Sequence, residues 1–136
     1  MSFGESVKTC INKYATFDGR ATRSEFWWFY LFTAIIGFIA YLPGYIFMIA
    51  GGANTPQGET PGFLFWLGVI LLIIGGLLVL ALFIPLLAVG CRRLHDRGQS
   101  GWLQLLLVVP CGNIVLLIFW IMEGTPGDNA YGPKPA

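Results

Sequence analysis

Charged residues are scarce in this chain, and their scarcity argues against an ordinary soluble fold. Of the 136 residues, 11% are charged and 56% are hydrophobic, whereas a soluble domain usually contains about 25% charged residues. A soluble fold of this length leaves roughly 30% of its unfolded-chain surface in contact with water, and so few polar residues cannot cover that area. The composition therefore predicts a membrane protein whose apolar surface is covered by lipid.

Residues that carry catalysis or bind metals are also few. His95 is the only histidine, and Cys91 would share a helical face with it, but zinc usually takes at least three protein ligands. The sequence contains no phosphate-binding glycine loop and no Gly-x-Ser-x-Gly nucleophile motif. We therefore predict no metal site, no cofactor and no enzymatic activity. We expect His95 to join neighbouring elements through its two ring nitrogens.

Neither a disulfide framework nor a cleavable signal peptide is expected. The cysteines, Cys10, Cys91 and Cys111, are an odd number at wide spacing. The first apolar run begins only at Phe26, is too long for the apolar core of a signal peptide, and is followed by two more such runs. We therefore interpret the first run as a retained membrane anchor. The net charge of +1 gives no indication of a nucleic-acid partner.

Three windows without any charged residue, 26–50, 62–90 and 102–122, are each long enough to cross a bilayer as a helix. Backbone polar groups in lipid must be satisfied within the segment, which predicts helices. Pro110, with Gly112 and Asn113, interrupts the third window and predicts either a kinked helix that crosses fully or a re-entrant hairpin. We favour the kinked crossing.

The predicted fold is therefore an all-α integral membrane domain over residues 1–136, with three transmembrane helices and a tail over 123–136. Before the first span, apolar residues recur at helical spacing over residues 3–16, which predicts a short amphipathic helix in the membrane interface. Ser2 and Glu5 have the spacing of a capping box, and Thr22 and Glu25 have the same spacing where the first span should begin.

The basic residues predict the orientation in the membrane. Seven of the eight lie before the first span or between the second and third, and the loop between the first two spans has none. The positive-inside rule then predicts a cytoplasmic N-terminus, with Lys134 as the exception if the third window crosses fully. Tryptophan favours the two headgroup levels, so we expect Trp27, Trp28 and Trp102 at inner ends, and Trp66 and Trp120 at outer ends.

Two polar segments should meet at the inner ends of the first two spans. Helices joined by a short loop are usually antiparallel neighbours, so Arg20, Arg23 and Glu25 should face the segment Cys-Arg-Arg-Leu-His-Asp-Arg-Gly-Gln-Ser-Gly over 91–101. We expect Glu25 to pair with Arg92 or Arg93. Asp96 can pair with an arginine one turn back, where an exposed pair contributes about 0.3 to 0.5 kcal/mol. Gly98 should end the second helix, and Ser100 should cap the next one.

Three motifs in order carry a family resemblance: FDGRATRSEFWW over 17–28, CRRLHDRGQSGW over 91–102 and EGTPGDNAYGP over 123–133. They resemble the domain-of-unknown-function 805 family, which comprises small bacterial inner-membrane proteins of the YhaH and YhaI type. The resemblance covers nearly the whole chain and implies a location in the bacterial inner membrane. It implies no activity, substrate or cofactor.

Two functional hypotheses remain open. In the first, the protein is a non-enzymatic membrane module that binds a partner protein, a second copy of itself or anionic lipid headgroups through its Arg-rich face. In the second, it is an oligomeric pore or small-solute carrier with a path beside Asn113. The apolar windows contain no charged residue, which favours the first. The candidate interaction surface comprises Arg20, Arg23, Glu25, Arg92, Arg93, His95, Asp96 and Arg97.

Overall fold

The computed structural model describes residues 1–135, and the predicted all-α class is confirmed for them. The last tail residue, Ala136, lies outside the described residues. Within residues 1–135, β-type pairing is limited to one isolated bridge between Asn129 and Gly132. The helices are α1 (Phe3–Asn12), α2 (Arg23–Ala53), α3 (Phe63–Asp96), a 3₁₀ helix (Gly101–Val108) and α4 (Gly112–Ile121).

Two of these helices are long and apolar enough to cross a membrane. α2 has 31 residues and α3 has 34, with mean hydropathies of 1.9 and 3.1 in their most apolar stretches. Only 6% and 17% of those stretches are buried within the protein. The core helix of a soluble protein would be mostly buried, so the exposed apolar faces of α2 and α3 are typical of helices surrounded by lipid.

The described residues form two compact units, and the first comprises residues 1–32 together with the chain from Phe83 onward. The second, Thr33–Leu82, contains parts of α2 and α3 that pack through small residues. A Cβ added to Gly44 would lie 2.8 Å from the Leu72 side chain, and one added to Gly75 would lie 2.8 Å from the Ala40 carbonyl oxygen. Glycine therefore allows the close backbone approach that is typical of helix pairs in membranes.

Both predicted N-terminal caps are present. The Glu5 amide donates to Ser2 Oγ (3.3 Å) and the Ser2 amide donates to Glu5 Oε2 (2.9 Å). Hydrogen bonding to the Glu5 carboxylate from the Ser2 backbone, and secondarily from the Ser2 side chain, lowers the pKa of that carboxyl. The Glu25 amide donates to Thr22 Oγ1 (3.1 Å) at the start of α2. The amphipathic helix ends at Asn12, earlier than the predicted residue 16.

Helix α3 extends beyond the predicted span and includes the first six residues of the predicted loop over 91–101. The helix ends at Asp96, and Gly98 stops it as expected, because glycine adopts a φ of 74° there without the strain of a side chain. The Gly98 amide donates to the His95 carbonyl (2.9 Å), and the Gln99 amide donates to the Leu94 carbonyl (3.0 Å). This is a Schellman cap. Ser100 Oγ then accepts from the Trp102 amide (3.3 Å) and caps the 3₁₀ helix, also as predicted.

The third window does not form the kinked crossing that we favoured. It folds as the 3₁₀ helix and α4, which pack against each other, and so adopts the alternative, a hairpin. Pro110 keeps the preceding Val109 extended, and Cys111 then adopts a left-handed φ of 64° that reverses the chain. The Gly112 amide donates to the Val109 carbonyl (2.9 Å) at the tip, where backbone groups need partners within the segment.

Both ends of this hairpin lie beside the C-terminal part of α3. A Cβ on Gly101 would overlap with Cys91 Sγ. At the other end, the Trp120 indole donates to the Gly90 carbonyl (3.3 Å). Trp120 therefore lies at the end of α3 from which the hairpin started, whereas the prediction placed Trp102 and Trp120 at opposite ends of a span.

Candidate functional site

The candidate interaction residues are mostly interior residues of the first unit. Arg93 is fully buried and Arg92 is 1% exposed, which places two arginines among the largest buried side chains. Arg23 is exposed, and Arg97 is partly buried against the ring of Phe119. A charged side chain is rarely buried without a partner. The buried members of the predicted set are Arg20, Glu25, Arg92, Arg93, His95 and Asp96.

The first ion pair joins Arg92 to Glu25, one of the two pairings expected from the sequence. Both side chains are at most 4% exposed. Cys10 of α1 reaches the same carboxylate, with its Sγ 3.9 Å from Glu25 Oε1. Burial, reinforced by the charge of Glu25, raises the pKa of the Cys10 thiol to about 12, so it remains protonated near neutral pH. The pair and the thiol connect α1, α2 and α3.

The second cluster is a carboxylate shared by two arginines. Asp96 accepts from Arg20 Nε through Oδ1 (2.9 Å) and pairs with Arg93 Nη1 through Oδ2. The Arg93–Asp96 pair has the expected one-turn spacing, but its side chains are 0% and 8% exposed. The value expected for an exposed pair therefore does not apply, because removing one partner from a buried pair leaves an uncompensated charge.

Both arginines also donate to backbone carbonyls near the C-terminal end of the chain. Arg20 donates to the carbonyls of Gly127 (2.6 Å) and Thr125 (2.8 Å). Arg93 donates to the carbonyls of Trp120 (3.1 Å) and Met122. Arginine suits this role because its guanidinium group carries five donors in a fixed plane. The tail is therefore held in place by charged donors.

His95 contacts both the segment before α2 and the tail, but only one of its ring nitrogens reaches another segment, and the other faces Cys91 of the same helix. Its Nδ1 lies 3.1 Å from the Gly19 carbonyl oxygen, and its Nε2 lies 3.6 Å from Cys91 Sγ. The ring of Tyr131 is stacked on the imidazole, with 4.0 Å between centroids. Asn129 donates to the His95 carbonyl (2.9 Å). Among residues 1–135, no group of three or more His, Cys, Asp or Glu side chains could hold a metal ion.

The tail residues of this site were not identified as site residues from the sequence. A Cβ on Gly124 would overlap with the Asp96 carboxylate, so glycine is required where the tail passes Asp96. The Thr125 amide donates to the Asp96 carbonyl (2.7 Å). Every residue type has a backbone carbonyl, so the sequence does not show which carbonyls will accept hydrogen bonds from the arginines. The available signal was the third motif, whose glycines and turn residues indicated a defined path for the chain.

The arrangement is a buried charge network that joins the three sequence motifs. Arg20 and Glu25 come from the first motif, and Arg92, Arg93 and Asp96 come from the second. The third motif supplies backbone carbonyls. Both buried carboxylates, Glu25 and Asp96, are paired with buried arginines. These pairs fix the positions of the three motifs relative to one another. The network therefore brings the three motifs together in space.

Comparison with known proteins identifies relatives of the whole chain. The family described as protein of unknown function DUF805 matches residues 14–133. Inner membrane protein YhaI of Escherichia coli strain K12 is 39% identical over 126 residues, which cover 92% of this chain and 90% of YhaI. Inner membrane protein YhaH of the same strain is 36% identical over 130 residues, which cover 92% of this chain and 91% of YhaH. No solved structure matches the chain.

Proposed function

The chain belongs to the DUF805 family of proteins of unknown function, and on that premise we propose that it is a non-enzymatic inner-membrane module. Its cytoplasmic basic face binds anionic lipid headgroups or a partner protein. The buried charge network forms the base of this face and fixes the position of α1, the start of α2 and the tail. Exposed basic side chains on the same unit then make the contacts.

The distribution of charge carries the proposal. All eight Lys and Arg residues belong to the first unit, whereas Glu59 is the single charged residue in the sequence of the second unit, 33–82. Such asymmetry is typical of inner-membrane proteins with their basic end in the cytoplasm. Because the hairpin returns the chain to the end of α3, Lys134 joins the other basic residues and is no longer an exception.

Exposed cations supply the binding groups. Four basic side chains are exposed. Lys8 lies in α1 and Lys13 directly follows that helix. Arg23 is the first residue of α2, and Lys134 lies in the tail. Each basic residue near an anionic membrane surface contributes about 1 kcal/mol to the attraction. Phe3 and Ile11 of α1 are 39% and 41% exposed. Exposed apolar groups beside lysines favour contact with a membrane interface.

We expect boundary lipid to be selected by charge. In nanodiscs, spin-labelled phosphatidylglycerol should be immobilised at the protein several-fold more often than spin-labelled phosphatidylcholine, as measured by electron paramagnetic resonance. The preference should fall to parity when Lys8, Lys13, Arg23 and Lys134 are all replaced by glutamine. It should also weaken as the salt concentration rises to about 1 M, because salt screens exposed charges.

The matched control for this experiment is Glu59→Gln, which changes the net charge by one unit outside the basic unit and should leave the selectivity unchanged. A wild-type protein without any preference for phosphatidylglycerol would contradict lipid binding by this face. Photocrosslinking in cells from position 23 then tests the remaining proposal, and adducts with one defined protein would support it. Without lipid preference and without such an adduct, the proposed function is wrong.

A second expectation concerns topology. In a Cys111→Ser background, a cysteine at Thr55 should react with an impermeant maleimide in intact cells, whereas cysteines at Ser100 and Lys134 should not. The positive-inside rule predicts a cytoplasmic Ser100, and a chain that returns through the hairpin predicts the same side for Lys134. Permeabilised cells provide the control, since Ser100 and Lys134 are exposed and Thr55 is partly exposed. Labelling of Lys134 but not of Ser100 in intact cells would contradict the hairpin, and labelling of Ser100 would contradict the orientation.

A further inference from the structure

A groove of about 770 Å³ lies beside α3 within the first unit. Its wall on α3 is formed by Phe83, Leu87, Cys91 and His95, which recur every four residues and therefore lie along one helical face. Phe83 and His95 are twelve positions apart, which corresponds to about 18 Å along a helix. This is slightly more than half of the ~30 Å hydrocarbon core of a bilayer. The groove is thus as long as one leaflet is thick, and its volume lies within the range of small-molecule sites.

The opposite wall is the 3₁₀ helix of the hairpin. Trp102, Leu105 and Val108 recur every three residues, the period of a 3₁₀ helix, and line the groove. They are 79%, 63% and 84% exposed. The side-chain amide of Gln104 donates to the Leu87 carbonyl (3.0 Å) and holds this wall against α3. The groove is therefore formed in advance and is apolar along its body.

One end of the groove is polar and acidic. Asp18, Ser100, His95 and Tyr131 line it, whereas no lysine or arginine does. No ion pair of Asp18 is found within residues 1–135, and its side chain is exposed. Both ring nitrogens of His95 already have partners. Asp18 is therefore the carboxylate available to a ligand, and it would attract a cation and repel an anion.

We propose that the groove binds one acyl chain of a membrane phospholipid whose headgroup carries a primary amine, with the ammonium group at Asp18. The apolar body matches a hydrocarbon chain, its length matches one leaflet, and the acidic end matches a cationic head. This site differs from the basic face described above in position and in the sign of its charge. The two proposals can therefore succeed or fail separately.

Native mass spectrometry of the full chain in detergent tests this site. Phosphatidylethanolamine and phosphatidylglycerol with identical acyl chains are added in turn, and the wild type should retain one phosphatidylethanolamine. The preference, expressed as the ratio of retained phosphatidylethanolamine to retained phosphatidylglycerol, is compared between the wild type and each variant, so that the basic face contributes equally to both proteins. Asp18→Asn should lower this preference by up to about fivefold, the usual range for one exposed ion pair. Leu105→Trp places an indole in the groove and should reduce retention of phosphatidylethanolamine by about tenfold or more.

The controls match each change in size or charge. Ile114→Trp enlarges a side chain of α4 that is 55% exposed and does not line the groove, and should leave retention unchanged. Glu59→Gln removes a carboxylate elsewhere and should preserve the preference. If circular dichroism shows that Leu105→Trp does not fold, Val108→Trp replaces it, since that side chain is 84% exposed and has room.

Three results would overturn the proposal. The first is unchanged retention in the Leu105→Trp or Val108→Trp protein, which would place the lipid elsewhere. The second is an unchanged lipid preference in the Asp18→Asn protein, which would contradict the role of Asp18. A lipid-free dimer that dissociates on Leu105→Trp would show that a second copy fills the groove, and would likewise refute lipid binding there.

Discussion

Replacing Asp96 by asparagine should lower the free energy of unfolding by roughly 3 to 5 kcal/mol, the usual cost of breaking a buried ion pair by removing one partner. The change keeps the size of the side chain and removes its charge. Arg20 and Arg93 would then remain buried without the carboxylate that both contact. Because both arginines also hold the tail, we expect increased proteolysis of residues 123–135 in the variant.

Stability can be measured by unfolding in mixed micelles with increasing sodium dodecyl sulfate. Glu123→Gln is the matched control, because it also removes one carboxylate that pairs with an arginine, Arg23. That pair is exposed, with side chains 53% and 84% accessible, so its loss should cost no more than about 1 kcal/mol. Equal effects of the two changes would mean that the Asp96 network contributes no more than a surface ion pair.

The pair Arg92–Glu25 should show strong non-additivity. Glu25→Leu alone and Arg92→Met alone each leave one buried charge without its partner, and each should cost roughly 3 to 5 kcal/mol. The double variant should be more stable than either single variant, because it contains neither charge. Two nitrogens of Arg92, Nε and Nη2, have no hydrogen-bond partner within residues 1–135. Burying this incompletely bonded guanidinium group is costly in itself, so apolar replacement of the pair is tolerable.

The same mixed-micelle unfolding assay gives the four free energies of this double-mutant cycle. Additive losses, with the double variant the least stable, would mean that the two side chains act independently. A matched cycle on the exposed residues Arg23 and Glu123 should give a coupling energy below about 1 kcal/mol. Circular dichroism of each variant establishes whether the helices remain formed.

Local features of this fold were predictable because their causes lie within a few residues. The capping box of Ser2 and Glu5, the cap at Thr22 and the helix end at Gly98 depend on side chains and φ values one turn apart. The pairing of Glu25 with Arg92 was also within reach, because two neighbouring helices with charges at matching ends have few ways to arrange them.

The hairpin was harder to predict, since a proline within an apolar window permits both a kink and a reversal. The reversal depends on Cys111 in a left-handed conformation, which residue type does not signal. It also depends on Gly112, which passes so close to the Leu106 carbonyl that a Cβ would overlap with it. Such a contact between residues of two different elements appears only when both elements are in place.

The sequence by itself determined that this is an apolar helical chain with a basic end, because composition and charge position act without reference to long-range contacts. Only the tertiary structure decided which charges are buried and which backbone carbonyls they bind. Arg20 lies 76 residues before Asp96 and 107 before Gly127, and it contacts both. Burial of a charge and its contacts with backbone carbonyls depend on the packing of distant segments. For this reason residues predicted as an interaction surface form a buried network instead.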